Sequence, residues 1–472
     1  MADVKMVRTG PTGRWLAVVA ALALTAGCAA PGSGTKTAAP GAAPSQAGAA
    51  TPASGAASAP SFDTQTPITL VEWDTETSPG PSAAIDELNA AFTATYPNVT
   101  VKRTAKEFDD YMATIKLAAS GVDAPDVFQG NEGYSVDAAL VKAGLILPLD
   151  DYAAAYGWET RFGSPATLDV LRWTADGTTW TAGPLWGIPQ KAEVLGVFYN
   201  KKTLADLGLQ VPATFAEFEQ SLKVAREAGT APIVVGGLDG WALGHVFMVL
   251  QAHFEDPQVI TDWTFAKPGA TFDTARTQQA AEVLQGWARD GDVIDGFSGI
   301  GQENAAARFA QGEGLYFITG PWENGTFAEP MADNVGFFPL PGETAANPGS
   351  TTGSPSLPFH IGAKSKNADA AAAYIDFITS PTAAKIVASH GDLPAAPVDA
   401  ASLDQASSLA AISQAWVAKS AAGSLTPYLD WATPTMGDTL FGDLQRLMAS
   451  DMTPAGFAAA VQADWSKNHP GG

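Results

Sequence analysis

Apolar positions along the chain follow two periods in alternation. The run ITLVEW, starting at Ile68, is a short strand ending in Trp73 and Asp74. In SAAIDELNAAFTATYPNVTVKRT, Ile85, Leu88, Phe92 and Tyr96 recur at helical spacing, and Pro97-Asn98 then turns the chain into the alternating VTVKR. FDDYMATIKLAASG repeats the logic: Phe108, Met112, Ile115 and Leu117 suit a helix ended by Gly121, and APDVFQGNEG supplies a strand running into a Gly-rich loop. Strands alternating with helices predict an α/β fold with a largely parallel sheet, whose ligands lie at the carboxyl ends of the strands. Trp73, Asp74, Asn131 and Glu132 fall at such ends, although the alternation in ITLVEW is equally compatible with a buried Trp73.

Further along, LWGIPQKAEVLGVFYNKKTLADLG is a Pro-marked extended piece, an apolar strand, and a helix from near Lys202. Helices are expected at 215–227, 275–289, 368–379, 403–419 and 454–467, with strands at 314–319 and 335–339. Two segments read as turn-rich: VVGGLDGWALGHVF, which holds Trp241, and PGETAANPGSTTGSPSLPFHIGAKS. In LYFITGPWENG, Gly320-Pro321 halts strand pairing, because proline has no N–H and a fixed φ. Trp322 therefore emerges at a strand end beside Glu323 and Asn324, either as a ligand platform or as a cap on the strand. Glu193 is isolated in the apolar run AEVLGVF, where a carboxylate needs a partner.

A length of 472 residues is too long for one core and favours two lobes. Apolar content of 46% with 16% charged residues excludes global disorder, and 13 tryptophans are many for any globular chain. Lys+Arg of 26 against Asp+Glu of 49 gives a net charge of −23, which repels phosphate backbones and argues against a nucleic-acid partner. No nucleophile elbow, Walker loop, zinc-protease motif or calcium loop is present; GFSGIG fails the elbow because Ile300 stands where its second glycine belongs. Neither a cofactor nor a metal is expected.

The beginning of the chain resembles a targeting device. Lys5, Arg8 and Arg14 form a basic region, Trp15 to Leu24 an apolar one, and Thr25-Ala26-Gly27 precedes Cys28, the single cysteine. This is similar to the lipobox of bacterial lipoproteins, with Thr25 standing where that motif usually has leucine. It implies a signal peptide over 1–27 and lipidation of Cys28. Residues 28–61 are nearly all Ala, Gly, Pro, Ser and Thr, the composition of a flexible tether. The body is then expected on the outer face of the cytoplasmic membrane.

From about residue 66 onward the order of motifs resembles a family. YPNVTVK, APDVF with AGLILPLD, GIPQ with GVFYNK, VPATFAEF, FAQGEGLYFITGPW, VGFFPLPG, IGAKSKNADAAAAYIDFITS and GDLPA follow one another as in extracellular solute-binding proteins (family 1) of bacterial ABC importers, the carbohydrate type that includes maltose-binding protein. The resemblance implies a two-lobed type II periplasmic-binding fold, each lobe a mostly parallel sheet flanked by helices, with a hinge and an interlobe cleft. The lobes would comprise 62–186 with 350–398, and 187–349 with 399–472. Carried over position by position, it implies ligand contacts from Trp322, Glu193, Trp241, Asn131, Glu132 and Asp74, and from Gln190 and Trp431; Trp73 joins them as a strand-end aromatic. The implied partners are a neutral sugar or oligosaccharide, the permease subunits, and the membrane through Cys28, with the protein a monomer and not an enzyme. The alternative is a secreted glycoside hydrolase using carboxylates such as Glu193 and Glu323, or the same fold with a non-sugar solute.

Overall fold

The computed structural model describes residues 61–163, 165–346 and 348–470. The expected signal peptide, Cys28 and all but the last residue of the tether lie outside the described residues.

Strands β1 (Ile68–Asp74), β2 (Val99–Ala105) and β3 (Val127–Gln129) are separated by the helices Pro79–Thr95 and Phe108–Ser120. The first helix buries the expected face, Ile85, Leu88 and Phe92. The second buries Tyr111, Ile115 and Ala119 instead: of its four expected positions only Ile115 is buried, Phe108 and Met112 are half-buried, and Leu117 faces solvent. Gly121 caps the second. A small antiparallel pair, β4 (Arg172–Trp173) and β5 (Trp180–Leu185), precedes the crossing.

The chain then passes through β6 (Lys191–Val194) into β7 (Gly196–Asn200). β8 (Ile233–Val234), β9 (Tyr316–Thr319) and β10 (Val335–Phe338) follow, among them the helices Phe215–Glu227, Trp241–Phe254 and Ala275–Asp290. Thr214 accepts a hydrogen bond from the Glu217 N–H, a helix start readable in the T-x-x-E order. β11 (Thr351–Ser356) runs back antiparallel to β6, β12 (Phe359–Ile361) returns to the first sheet, and β13 (Leu425–Thr426) pairs with β11.

Two four-stranded sheets result, ordered β12-β3-β1-β2 and β10-β7-β9-β8, joined by the three-stranded β13-β11-β6. The molecule is thus a two-lobed α/β fold with a strand pair as its hinge. The first sheet is parallel except at β12. The second departs from expectation: β7 is antiparallel to both β9 and β10, and only β8–β9 is parallel. β7 arrives from the hinge and β10 returns toward it, so opposite directions follow from the path of the chain.

Two segments read as turn-rich turn out to be regular. Trp241 is the first residue of a 14-residue helix rather than part of a loop. TTGSPS forms β11, whose six residues are all buried, and Phe359–Ile361 forms β12. Pairing on both sides holds β11 against its weak strand propensity.

Candidate functional site

A cavity opens between the sheets, with an empty volume of about 1030 Å³, open solvent included. Its first wall comes from the carboxyl ends of β1 and β3: Thr75, Glu76, Thr77, Ser78 and Asn131, with Glu107 and Phe108. The facing wall is aromatic, with Trp241, His245, Trp322, Tyr428, Trp431 and Phe441. Lys191, Glu193, Ser356 and Leu357 line the hinge side. Leu357 holds φ +44°, a conformation that strains a non-glycine residue, where β11 hands over to β12.

The strand-stop at Gly320-Pro321 has a steric purpose. The Trp322 ring folds back over Gly320, where a Cβ would fall 1.9 Å from a ring carbon, so only glycine permits this pose. The His245 ring lies 5.2 Å from both Trp241 and Trp322, and 5.7 Å from Tyr428. The Tyr428 hydroxyl donates to Glu193 Oε2 at 2.8 Å. On the other side, Trp431 Nε1 donates to Asn131 Oδ1 at 3.3 Å. Gly133 follows in the same loop with φ +95°, and a Cβ there would lie 2.5 Å from Trp431.

Carboxyl groups dominate the lining: Glu76, Glu107, Glu193, Glu303, Glu323 and Asp430, against Lys191 as its single lysine or arginine. Lys191 Nζ sits 2.6 Å from Glu76 Oε2 and 3.0 Å from Asp392 Oδ2, all three nearly sealed from water. Those two carboxylates hold the lysine firmly charged, overcoming the effect of burial. Burial pushes Glu193 and Glu323 up to about 7 and Asp430 up to about 6. Glu303 rises to about 7 because its carboxyl shares a hydrogen bond with Glu107, foremost, and is partly buried. Near neutrality such groups can donate as well as accept hydrogen bonds.

Of the nine expected contacts, the cavity brings together Trp322, Glu193, Trp241, Asn131 and Trp431. The other four lie outside its lining. Asp74 is fully buried and bound by Arg103 at 2.6 Å and 2.9 Å, so it anchors β1 to β2. Trp73 lies under Lys106, whose Nζ is 4.5 Å above the ring. Gln190 is buried and donates to the Ile378 carbonyl at 3.3 Å. Glu132 is sealed behind the wall without a side-chain partner among the described residues, and burial, with Asp137, holds its pKa well above the usual carboxylate range.

Sequence reasoning missed Lys191, His245, Tyr428 and Asp430 as lining residues. Lys191 carried a signal, since a lone cation in GIPQKAEVLGVF requires buried partners. His245 carried none, because it sits in a helix that is apolar nearly all round.

Comparison with known proteins agrees with the fold. The chain matches the family described as bacterial extracellular solute-binding protein over residues 75–385. It is 25% identical over 218 residues to the multiple sugar-binding protein of Streptococcus mutans, covering 45% of this chain and 51% of that one. Over 148 residues it is 31% identical to the putative ABC transporter periplasmic-binding protein YcjN of Escherichia coli, 31% of each chain. The chain therefore spans about half the length of the first relative and less of the second. Among solved structures, a chitin oligosaccharide binding protein superposes with a TM-score of 0.73 at 21% identity, over 86% of this chain and all of that one. The solute-binding protein RafE, in complex with raffinose, gives 0.68 at 20% identity over 85% and 99%. The match over residues 75–385 covers well over half of the chain, and the protein belongs to the bacterial extracellular solute-binding proteins.

Proposed function

We propose that this protein is the substrate-binding component of an ABC importer, which captures a neutral sugar or oligosaccharide in the cleft and delivers it to a membrane permease. The observation that carries this reading is the cavity itself, where Trp241, Trp322 and Trp431 converge with Glu193, Glu323, Asp430 and Asn131. A pyranose has apolar C–H faces and a rim of hydroxyls. Indole rings stack on the faces, while carboxyl and amide groups pair with the rim.

In this reading the lobes, 62–186 with 350–398 and 187–349 with 399–472, close about β6 and β11 when ligand adds contacts on both walls. Lipid on Cys28 and the tether keep the body at the outer face of the cytoplasmic membrane, and it acts as a monomer. Titration calorimetry with maltotriose, raffinose, xylotriose and chitotriose, beside small-angle scattering, tests the proposal. Binding with compaction is expected, and no heat with any of them would sink it. Release of reducing ends during long incubation would instead identify a hydrolase working through Glu193 and Glu323.

A further inference from the structure

Among the described residues, His245 is the one member of the aromatic wall with a buried polar atom, its Nδ1, left without a hydrogen-bond partner. Burial alone lowers its pKa, to about 3, and no hydrogen bond counters that effect, so the ring stays neutral throughout the physiological range. A neutral imidazole carries one N–H and one lone pair. A sealed lone pair is better tolerated than a sealed, orphaned N–H, so the proton belongs on Nε2, the nitrogen left to the cavity that the ring lines.

The surroundings determine what that N–H can read. Six carboxyl groups line the cavity, and the one lysine is bound to Glu76 and Asp392. Hydroxyl groups of a ligand find acceptors among those carboxyls. An ether oxygen accepts only, lies among C–H groups, and requires a donor set in an apolar frame. Trp241, Trp322 and Tyr428 form such a frame around His245.

We infer that His245 is a specificity-determining residue whose Nε2–H donates to an acceptor-only oxygen of the bound sugar, a ring or glycosidic ether oxygen. The inference rests on the sugar-binding reading above and deepens it. A sugar whose ether oxygen at this point is replaced by CH₂ leaves the donor unpaired and binds more weakly.

Nitrogen-15 NMR of the histidine rings in the ligand-free protein gives the first test. The His245 ring is expected neutral with its proton on Nε2 from pH 5 to 8; a proton on Nδ1, or an imidazolium, would overturn the inference whatever the ligand. Calorimetry with the four trisaccharides gives the second. His245→Phe keeps the packing and should bind about 10-fold more weakly at unchanged melting temperature, and His245→Gln, which restores an N–H, should recover part of the loss. Equal binding by wild type and His245→Phe removes the inference and leaves the sugar reading standing. If wild type binds none of the four, the sugar reading falls, and the NMR result still decides the state of the ring.

Discussion

The two walls of the cleft are built on opposite principles. The wall from the first sheet is largely polar, with Thr75, Glu76, Thr77, Ser78 and Asn131 at the ends of parallel strands and Glu107 and Phe108 beside them. The facing wall is a set of large rings carried by the helix Trp241–Phe254, the turn after β9 and the segment Leu429–Ala432. Aromatic area supplies affinity without ordering many torsions, whereas short polar groups discriminate only when they are brought close. In the proposed function a ligand docks on the rings and meets the polar wall as the lobes close, which couples recognition to the hinge.

The strongest way to break this arrangement is through Lys191. Replacing it with Met leaves the Glu76 and Asp392 carboxylates buried and uncompensated, and should destabilise the protein by about 3–5 kcal/mol in urea unfolding. A loss under about 1 kcal/mol would show that this ion-pair cluster does not anchor the polar wall. Next in size, Trp322→Ala should weaken sugar binding by about 1–3 kcal/mol while the protein stays folded. Unchanged affinity would place the ligand away from the rings.

Acidity gives a subtler test. Glu193 and Glu323, with folded values of about 7 against 4.5 for the free side chain, bind their protons more tightly in the folded state. Their contribution to stability is full below about 4.5 and is lost as pH rises through about 7. The melting temperature should therefore be higher at pH 5 than at pH 8, and Glu193→Gln should flatten the difference. A rise in melting temperature toward pH 8 would contradict the burial of these carboxyls. The smallest effect is expected from Thr77→Ala on the polar wall, below about 1 kcal/mol in binding and traceable in a sugar panel as altered preference. A loss as large as that of Trp322→Ala would reverse the roles assigned to the two walls.

Local pattern was enough for much of the scaffold. Ile85, Leu88 and Phe92 marked one buried helix face, and the helix Phe215–Glu227 was readable from end to end. Gly320-Pro321 marked the end of β9. TTGSPS was illegible as a strand, because its small and polar residues become one only when β6 and β13 pair on either side. Asp74 and Trp431 show the same boundary among site residues. Both stand among aromatic and acidic neighbours in the sequence, yet Arg103 claims the first, and the second lines the cavity while holding Asn131.

Periodicity, composition and motif order by themselves determined the alternating α/β units, the acidic character and the aromatic turn at Trp322. They could do so because each is a property of neighbours along the chain. Which carboxyls are sealed, which lysine answers them, and that His245 meets two tryptophans and a tyrosine were decided only by the tertiary structure. Burial and charge pairing depend on residues hundreds of positions apart, and no local pattern encodes which of them will meet.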